Sequence, residues 1–268
     1  KMNKTILITG ASSGIGKAVA TYLQQKGYQV YGTSRNPKNL ENFTFELIAL
    51  DVLDNDSIKA AVKYIIDKSG SLDVLVNNAG MGITGPIEDT PTAEMKAVFD
   101  TNLFGAIDVM KAVLPQMRKQ KSGTIANVTS IAGYMGLPFR SLYSGSKGAL
   151  ELITEGVSME VKGFGINVVS IAPGDFATNI AAGRYHTPIF EDSAYKVDYE
   201  NNLKIIDADV DGGKDPIEMA KVIYKITNTK NPKIHYKVGN PLEKFSIVLK
   251  RILPDRIYEK ILMNHYKL

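Results

Sequence analysis

Short runs of nearly continuous apolar residues alternate along the whole chain with longer stretches whose apolar residues recur every three or four positions. The short runs read as strands at 5–9, 29–33, 45–50, 74–77, 124–129, 167–171 and 233–238. Runs such as Ile6-Leu7-Ile8 and Val74-Leu75-Val76 are apolar at successive positions. Both of their faces must therefore be covered, as in a parallel sheet between helix layers. After the first run, Ile15, Val19 and Leu23 stand at i, i+4 and i+8, and the helix they predict stops at Gly27, which can adopt the left-handed cap. Residues 55–68 and 92–119 read as further helices, the second kinked by the Pro115 inside it. The alternation predicts an α/β domain over residues 2–239: a doubly wound, seven-stranded parallel sheet with helices on both faces. Lys1, which precedes Met2, carries no part of this reading.

Two stretches break the rhythm. Residues 181–215 combine Gly183, Pro188, Gly212 and Gly213 with the rings of Tyr185, His186, Phe190, Tyr195 and Tyr199, too long for an ordinary connection and expected to form a substrate lid. Residues 240–268 read as a C-terminal extension of two short amphipathic helices broken at Pro254. One carries Leu242, Phe245, Leu249 and Ile252, the other Ile257, Ile261 and Leu262, and six basic residues stand against three acidic ones. Packing on the domain is the expected role of this tail, with peripheral contact to a membrane surface as the alternative.

Composition narrows the function classes. With 44% hydrophobic and 22% charged residues in 268, the chain is of globular type, and a net charge of +4 without a block of like charges leaves no nucleic-acid footprint. The absence of Cys excludes disulfide scaffolds, thiol nucleophiles and Cys-ligated zinc. No run has the length of a signal-peptide core or a membrane span, so a soluble, cytoplasmic protein is expected. His186, His235 and His265 lack ligand spacing, so no metal site and no Ser-His-Asp triad is expected, and surface or lid positions are the default for them.

The stretch Thr9-Gly10-Ala11-Ser12-Ser13-Gly14-Ile15-Gly16 follows a strand and opens a helix, where backbone N–H groups converge on an anion. The phosphate-binding loop of nucleotide triphosphatases does not fit, because Ala11 and Ala18 stand where it needs Gly and Ser or Thr. The G-x-G-x-x-G form does not fit either, since Val19 replaces its third Gly. A dinucleotide pyrophosphate remains the best ligand, with a bare structural turn as the alternative. The second strand ends in Thr33-Ser34-Arg35, where an NAD enzyme would place a carboxylate. Arg35 can fork onto a 2'-phosphate, with Ser13 nearby, so NADP(H) is expected over NAD(H), the alternative being a solvated Arg. Asp51 suits an adenine amino group or an ordinary helix cap.

Tyr143 and Lys147 lie four apart on a predicted helix, hence on one face, with Ser130 thirteen residues upstream beyond a strand end. A Tyr of ordinary pKa about 10 acts near neutrality only if positive charge favours its phenolate, which Lys147 can supply. Ser130 can hydrogen-bond a substrate oxygen. By itself a Tyr/Lys pair is more often a packed ring beside a long amine; the Gly-rich turn changes that weighting. Thr9-Gly10-x3-Gly14-x-Gly16, Asn77-Asn78-Ala79-Gly80, Asn102, Ser130, Tyr143-x3-Lys147 and Pro173-Gly174-x3-Thr178, in this order, resemble the short-chain dehydrogenase/reductase superfamily over residues 3 to about 238. The resemblance implies a single-domain Rossmann fold, with Tyr143 as general acid/base and Lys147 binding the ribose and lowering the Tyr pKa. It also implies that Ser130 orients the carbonyl and that Asn102 holds a relay water. The cofactor contacts it implies are Gly10, Ser12, Ser13, Gly14, Ile15, Gly16, Ser34, Arg35, Asp51, Val52, Asn78, Ala79, Gly80, Tyr143, Lys147, Pro173, Gly174, Phe176 and Thr178. Pairing of subunits through the Tyr143 helix, as homodimer or homotetramer, is likewise implied.

Ser130-Ile-Ala-Gly-Tyr-Met-Gly-Leu-Pro-Phe139 and Leu253-Pro-Asp-Arg256 are similar to 17-beta-hydroxysteroid and retinol dehydrogenases. That similarity implies an apolar substrate bordered by Met81, Met135, Leu137, Pro138, Phe139, Tyr185, His186 and Phe190, residues that suit an ordinary core equally well. The leading expectation is an NADP(H)-dependent oxidoreductase interconverting a small-molecule carbonyl and alcohol. Epimerase or dehydratase chemistry on a nucleotide sugar is disfavoured by the lack of a larger C-terminal substrate domain. A non-catalytic NADP(H) sensor is disfavoured by the intact Ser130, Tyr143 and Lys147.

Overall fold

A computed structural model describes residues 4–40, 42–176, 183–211 and 213–268, including the side chains of all but residues 39 and 207–211. The chain runs β1 (Thr5–Ile8), α1 (Gly14–Gln25), β2 (Gln29–Ser34), β3 (Glu46–Ala49), α2 (Asn55–Ser69), β4 (Val74–Asn77), β5 (Ile83–Thr84) and α3 (Thr92–Phe99). It continues through a π-wound segment (Asp100–Gly105), α4 (Ala106–Gln120), β6 (Gly123–Val128), a 3-10 turn (Ile131–Tyr134), α5 (Ser141–Val161) and β7 (Ile166–Pro173). It ends with β8 (Tyr185–His186), α6 (Lys196–Asp211), α7 (Ile217–Thr227), β9 (His235–Val238), α8 (Pro241–Ile252) and α9 (Asp255–Tyr266). Seven strands form one parallel sheet in the order β3-β2-β1-β4-β6-β7-β9. This is the single-domain, doubly wound α/β fold expected.

The continuous apolar runs are explained by the two cores they feed. Side chains alternate across a strand, so Ile6, Ile8, Val74, Val76, Ala126 and Val169 face α1 and α7 through Val19, Leu23, Met219 and Ile223. Leu7, Leu75, Ile125 and Val168 face the other way, against Ile58, Ile65, Val113 and Met117 of α2 and α4. The helix boundaries follow local chemistry. Gly27 takes φ +84° just beyond α1, and α2 starts at Asp54, whose carboxylate accepts from the N–H groups of Asp56 and Ser57.

Three expectations change. Pro115 does sit within α4, but the irregularity in the 92–119 stretch lies ahead of it, at Asp100–Gly105, where the backbone is π-wound. Residues 181–215, expected as a lid, carry regular structure of their own: β8 pairs with β5, and α6 is anchored by Tyr199, whose hydroxyl meets both the hydroxyl (3.0 Å) and the carbonyl (2.9 Å) of Thr84. In the tail, the stripe expected to pack is largely outward: Leu242, Phe245 and Ile252 are 76%, 52% and 67% exposed, and Ile247 makes the buried contact. The reason is that α8 lies over a cavity mouth rather than flat on the domain, so Leu242 and Leu249 border the cavity. Tyr258 and Tyr266 of α9 are buried beside Met135 and Leu137. Among the described residues no helix is long and apolar enough to cross a membrane.

Leu75, fully buried in the sheet's second core, offers a direct test of this two-sided burial. Leu75→Ala is expected to cost about 2–5 kcal/mol, read as a lower denaturant midpoint at unchanged slope.

Candidate active site

Doubly wound sheets bind ligands outside the carboxyl ends of their strands, where the strand order reverses, here between β1 and β4. The two strand ends are stitched together. The Thr9 hydroxyl accepts from the N–H groups of Asn78 (2.9 Å) and Ala79 (3.0 Å), while the Asn78 amide donates to the carbonyls of Thr9 and Gly10, both at 3.0 Å. A Cβ on Gly16 would lie 2.3 Å from the Gly10 carbonyl oxygen and 2.6 Å from the Asn78 amide nitrogen, so only Gly fits this approach. Ser13 begins α1 with extended backbone, and its hydroxyl caps nothing. The orphan N–H groups of the first turn and this hydroxyl, beside Ser12, Gly14 and Ile15, are left for an anion, so the residues fit a dinucleotide pyrophosphate.

At the end of β2, Ser34 is half-buried and Arg35 exposed, with no ion pair to Arg35 among the described residues. Asp51 accepts from the Leu53 N–H at 3.0 Å, and its own N–H donates to Ser57. It is not the helix cap, a place taken by Asp54. Val52 packs where a Cβ on Gly105 would stand.

The chemical end is built from β6, the 3-10 turn and α5. A Cβ on Gly148 would come within 2.8 Å of the Gly133 carbonyl, so turn and helix lie close and Ser130 is brought to Tyr143. The Ser130 oxygen accepts from the Ala132 N–H at 3.1 Å, which leaves its hydrogen free to donate. Lys147, 5% exposed, donates from Nζ to the Val128 carbonyl at 3.0 Å. Burial lowers its pKa from the usual 10.5 to about 8, and the charge of Glu151 acts in the opposite direction. Burial raises the pKa of Tyr143; the Ser130 hydroxyl and the guanidiniums of Arg140 and Arg184 oppose that rise, and Asp175 adds to it. Gly80 brings the β4 end to this point, for a Cβ there would lie 3.0 Å from Asn102 Oδ1 and 3.4 Å from Lys147 Nζ. Asn102, in the π-wound segment, clamps Met81: its Oδ1 accepts from the Met81 N–H (2.8 Å), and its amide donates to the Met81 carbonyl (2.9 Å) and to Ser146 (3.1 Å).

A cavity of about 770 Å³ runs from Ile15, Pro173, Gly174 and Phe176 past Ser130 and Tyr143 to the tail. Met135 and Leu137 line it as expected. Met81, Tyr185 and His186 lie outside that lining: Met81 serves Asn102, and Tyr185 and His186 form β8. Phe139 packs against Tyr199 with the ring centroids 5.3 Å apart and the planes inclined by 42°, and Phe190 is exposed. Thr178 lies outside the described residues. Sequence reasoning missed Arg140, Arg184, Leu249, Tyr258, Ile261 and Leu262 in the lining. The amphipathic pattern of the tail was visible, but no signal showed that it faces a cavity.

The model of the short chain dehydrogenase family matches residues 4–188. The chain belongs to this family. A 3-ketodihydrosphingosine reductase of Bacteroides thetaiotaomicron is 40% identical, over 97% of both chains. Human retinol dehydrogenase 8 is 38% identical over 65% of this chain and 60% of its own. The solved structure of ElxO with NADP bound superposes with a TM-score of 0.71 at 30% identity, covering 88% of this chain and 97% of that one. As a short-chain dehydrogenase, the protein is an oxidoreductase acting on CH–OH and carbonyl groups of small molecules with a nicotinamide cofactor. The clash predicted at Gly16 sets an expectation for that cofactor. Gly16→Ala should weaken NADPH binding roughly tenfold or more, about 1.4 kcal/mol, in a fluorescence titration, with the circular dichroism of the sheet retained.

Proposed function

We propose that this enzyme interconverts a lipophilic ketone or aldehyde and its alcohol with NADP(H), Tyr143 being the general acid/base. The observation that carries the proposal is that Tyr143 and Ser130 line one cavity with Ile15, Pro173 and Gly174, with the buried Lys147 one helical turn from Tyr143 on α5. When bound, the nicotinamide supplies or accepts the hydride. Tyr143 Oη, kept as a phenol by burial, gives its proton to the carbonyl oxygen in reduction. Ser130, whose hydroxyl already reaches Tyr143, donates to that same oxygen once substrate is bound and fixes its position. The Lys147 ammonium, present below about pH 8, favours the phenolate left behind. The Asn102 side chain is committed to Met81 and Ser146, so it fixes the β4 end beside Lys147. Converging Ser130, Tyr143 and Lys147 support catalysis over a sensing role.

Support for a lipophilic substrate comes from the apolar lining by Met135, Leu137, Leu242, Leu249, Ile261 and Leu262, and from relatives named for a ketodihydrosphingosine and for retinol. The polar groups beside Tyr143, Arg140 and Arg184 among them, leave room for a polar head next to the reacting carbon. NADP(H) is supported by Arg35, exposed at the end of β2 and without an ion pair among the described residues, and by the NADP-bound relative.

Removal of the Tyr143 hydroxyl deletes the proton donor and leaves the Gly-rich turn untouched. Tyr143→Phe should lower kcat by about 10²–10⁴-fold or more with NADPH affinity within a few-fold, and near-normal turnover of a long-chain ketone would reject the assignment. A charge-assisted Arg–phosphate contact contributes roughly 1.5–3 kcal/mol, an NADPH preference of about 10- to 150-fold before solvent screening. Arg35→Ala should remove most of that preference and leave NADH binding little changed, as read by titration with both cofactors at one ionic strength. Equal binding of the two by the unaltered enzyme would reject NADP(H) specificity.

A further inference from the structure

Among the described residues, the proposed chemistry leaves one buried carboxyl group unused. Tyr143, Lys147, Glu151 and Glu155 recur every four residues on α5, so each is the neighbour of the next on the helix surface. Glu151, one turn beyond Lys147, is only 5% exposed. A lone carboxylate is costly in the interior, and three elements supply donors to this one. The Thr129 hydroxyl donates to Oε1, the Ser170 hydroxyl donates to Oε2 at 2.5 Å, and His235 Nδ1 from β9 lies 3.0 Å from Oε2. The other ring nitrogen of His235 lies 3.1 Å from Glu155 at the surface.

We infer that Glu151 is a positioning residue whose charge keeps Lys147 an ammonium in the dry interior, and that Thr129, Ser170 and His235 hold Glu151 in place for that purpose. The inference rests on Lys147 being part of the reacting face. Its physical content is a balance: desolvation drives the proton off Lys147, and the negative charge of Glu151 holds it on. The remaining titratable groups around Glu151 are few. Tyr134 comes from the 3-10 turn, its hydroxyl pushed up by burial and then by Glu151, and Lys237 of β9 is held below its ordinary value by burial and by Arg251 of α8. The Lys237 ammonium lies 5.0 Å over the Tyr134 ring. Glu151 is the carboxylate that acts on the Lys147 charge.

The test reads Lys147 itself, in the full chain without cofactor. The ¹³Cε resonance of labelled lysine is titrated between pH 6 and 11, and the Lys147 signal is assigned by its loss in Lys147→Arg. Glu151→Gln, which keeps the shape and can still bond Thr129 and Ser170, should move the Lys147 midpoint down by on the order of one pH unit. Glu151→Asp, which keeps the charge, should restore most of that shift, and Glu155→Gln should leave the midpoint within about 0.3 unit. Should Glu151→Gln fail to fold, Glu151→Met removes the same charge without needing donors and is read in the same way. A folded, charge-removing variant whose Lys147 midpoint matches that of the unaltered protein would overturn the proposal. Because this readout needs neither substrate nor turnover, its failure is separate from failure of the carbonyl chemistry, which Tyr143→Phe decides.

Discussion

Burial of the central sheet on both faces is the constraint from which the rest of this molecule follows. A parallel strand with apolar residues at successive positions must be covered on each side, which places helices above and below and sends every crossover back to the same end. Polar groups therefore collect at the carboxyl edge, the part of the sheet that no helix covers. Thr9 and Asn78 turn that edge into a fixed frame. Their four hydrogen bonds tie β1 to β4 where the strand order reverses. The Gly-rich turn, the Asn102 clamp on Met81 and the Lys147 ammonium are all referred to that frame.

Electrostatics at the site is a contest between dryness and charge. The same burial that keeps Tyr143 a phenol weakens Lys147 as a cation, so the two groups need countervailing partners of different kinds. Tyr143 has a hydroxyl and two guanidiniums near it, which favour the phenolate. Lys147 has the Val128 carbonyl and, one turn away, Glu151. Helical periodicity makes this economical, since a four-residue step sets ring, ammonium and carboxylate each beside the next. The sheet edge then decides which carboxylate is buried. Glu151 meets Thr129, Ser170 and His235, and Glu155 is left at the surface with the far side of the same imidazole.

The tail shows how the apolar requirement can be met by a ligand space instead of by packing. α8 commits Ile247 to the domain and leaves Leu242 and Leu249 along the cavity. α9 buries Tyr258 and Tyr266, and the Tyr258 hydroxyl donates to the Met135 sulfur at 2.8 Å. A lining of this kind sits one step from the reacting face yet comes from the last residues of the chain, so its shape can vary while the Tyr143 face stays as it is.

The strands, the sheet, the dinucleotide turn and the grouping of Ser130, Tyr143 and Lys147 were legible in the sequence because each is set by short-range spacing. Period two or continuous apolarity marks a strand, period four marks a shared helix face, and Gly16 is required by a contact that its own turn creates. The displaced irregularity ahead of Pro115, the pairing of β5 with β8 and the anchoring of α6 through Tyr199 were not legible, since each depends on a partner at least twenty residues away or on backbone winding that residue type does not dictate. The same holds for the tail, whose amphipathic pattern is equally consistent with a core, a membrane and a cavity. His235 is the sharpest case: alone in sequence it is an isolated imidazole, and only the pairing of β7 with β9 sets it between two carboxylates of α5. Local spacing determined what each element is; burial, which depends on every other element at once, decided which of their charges matter.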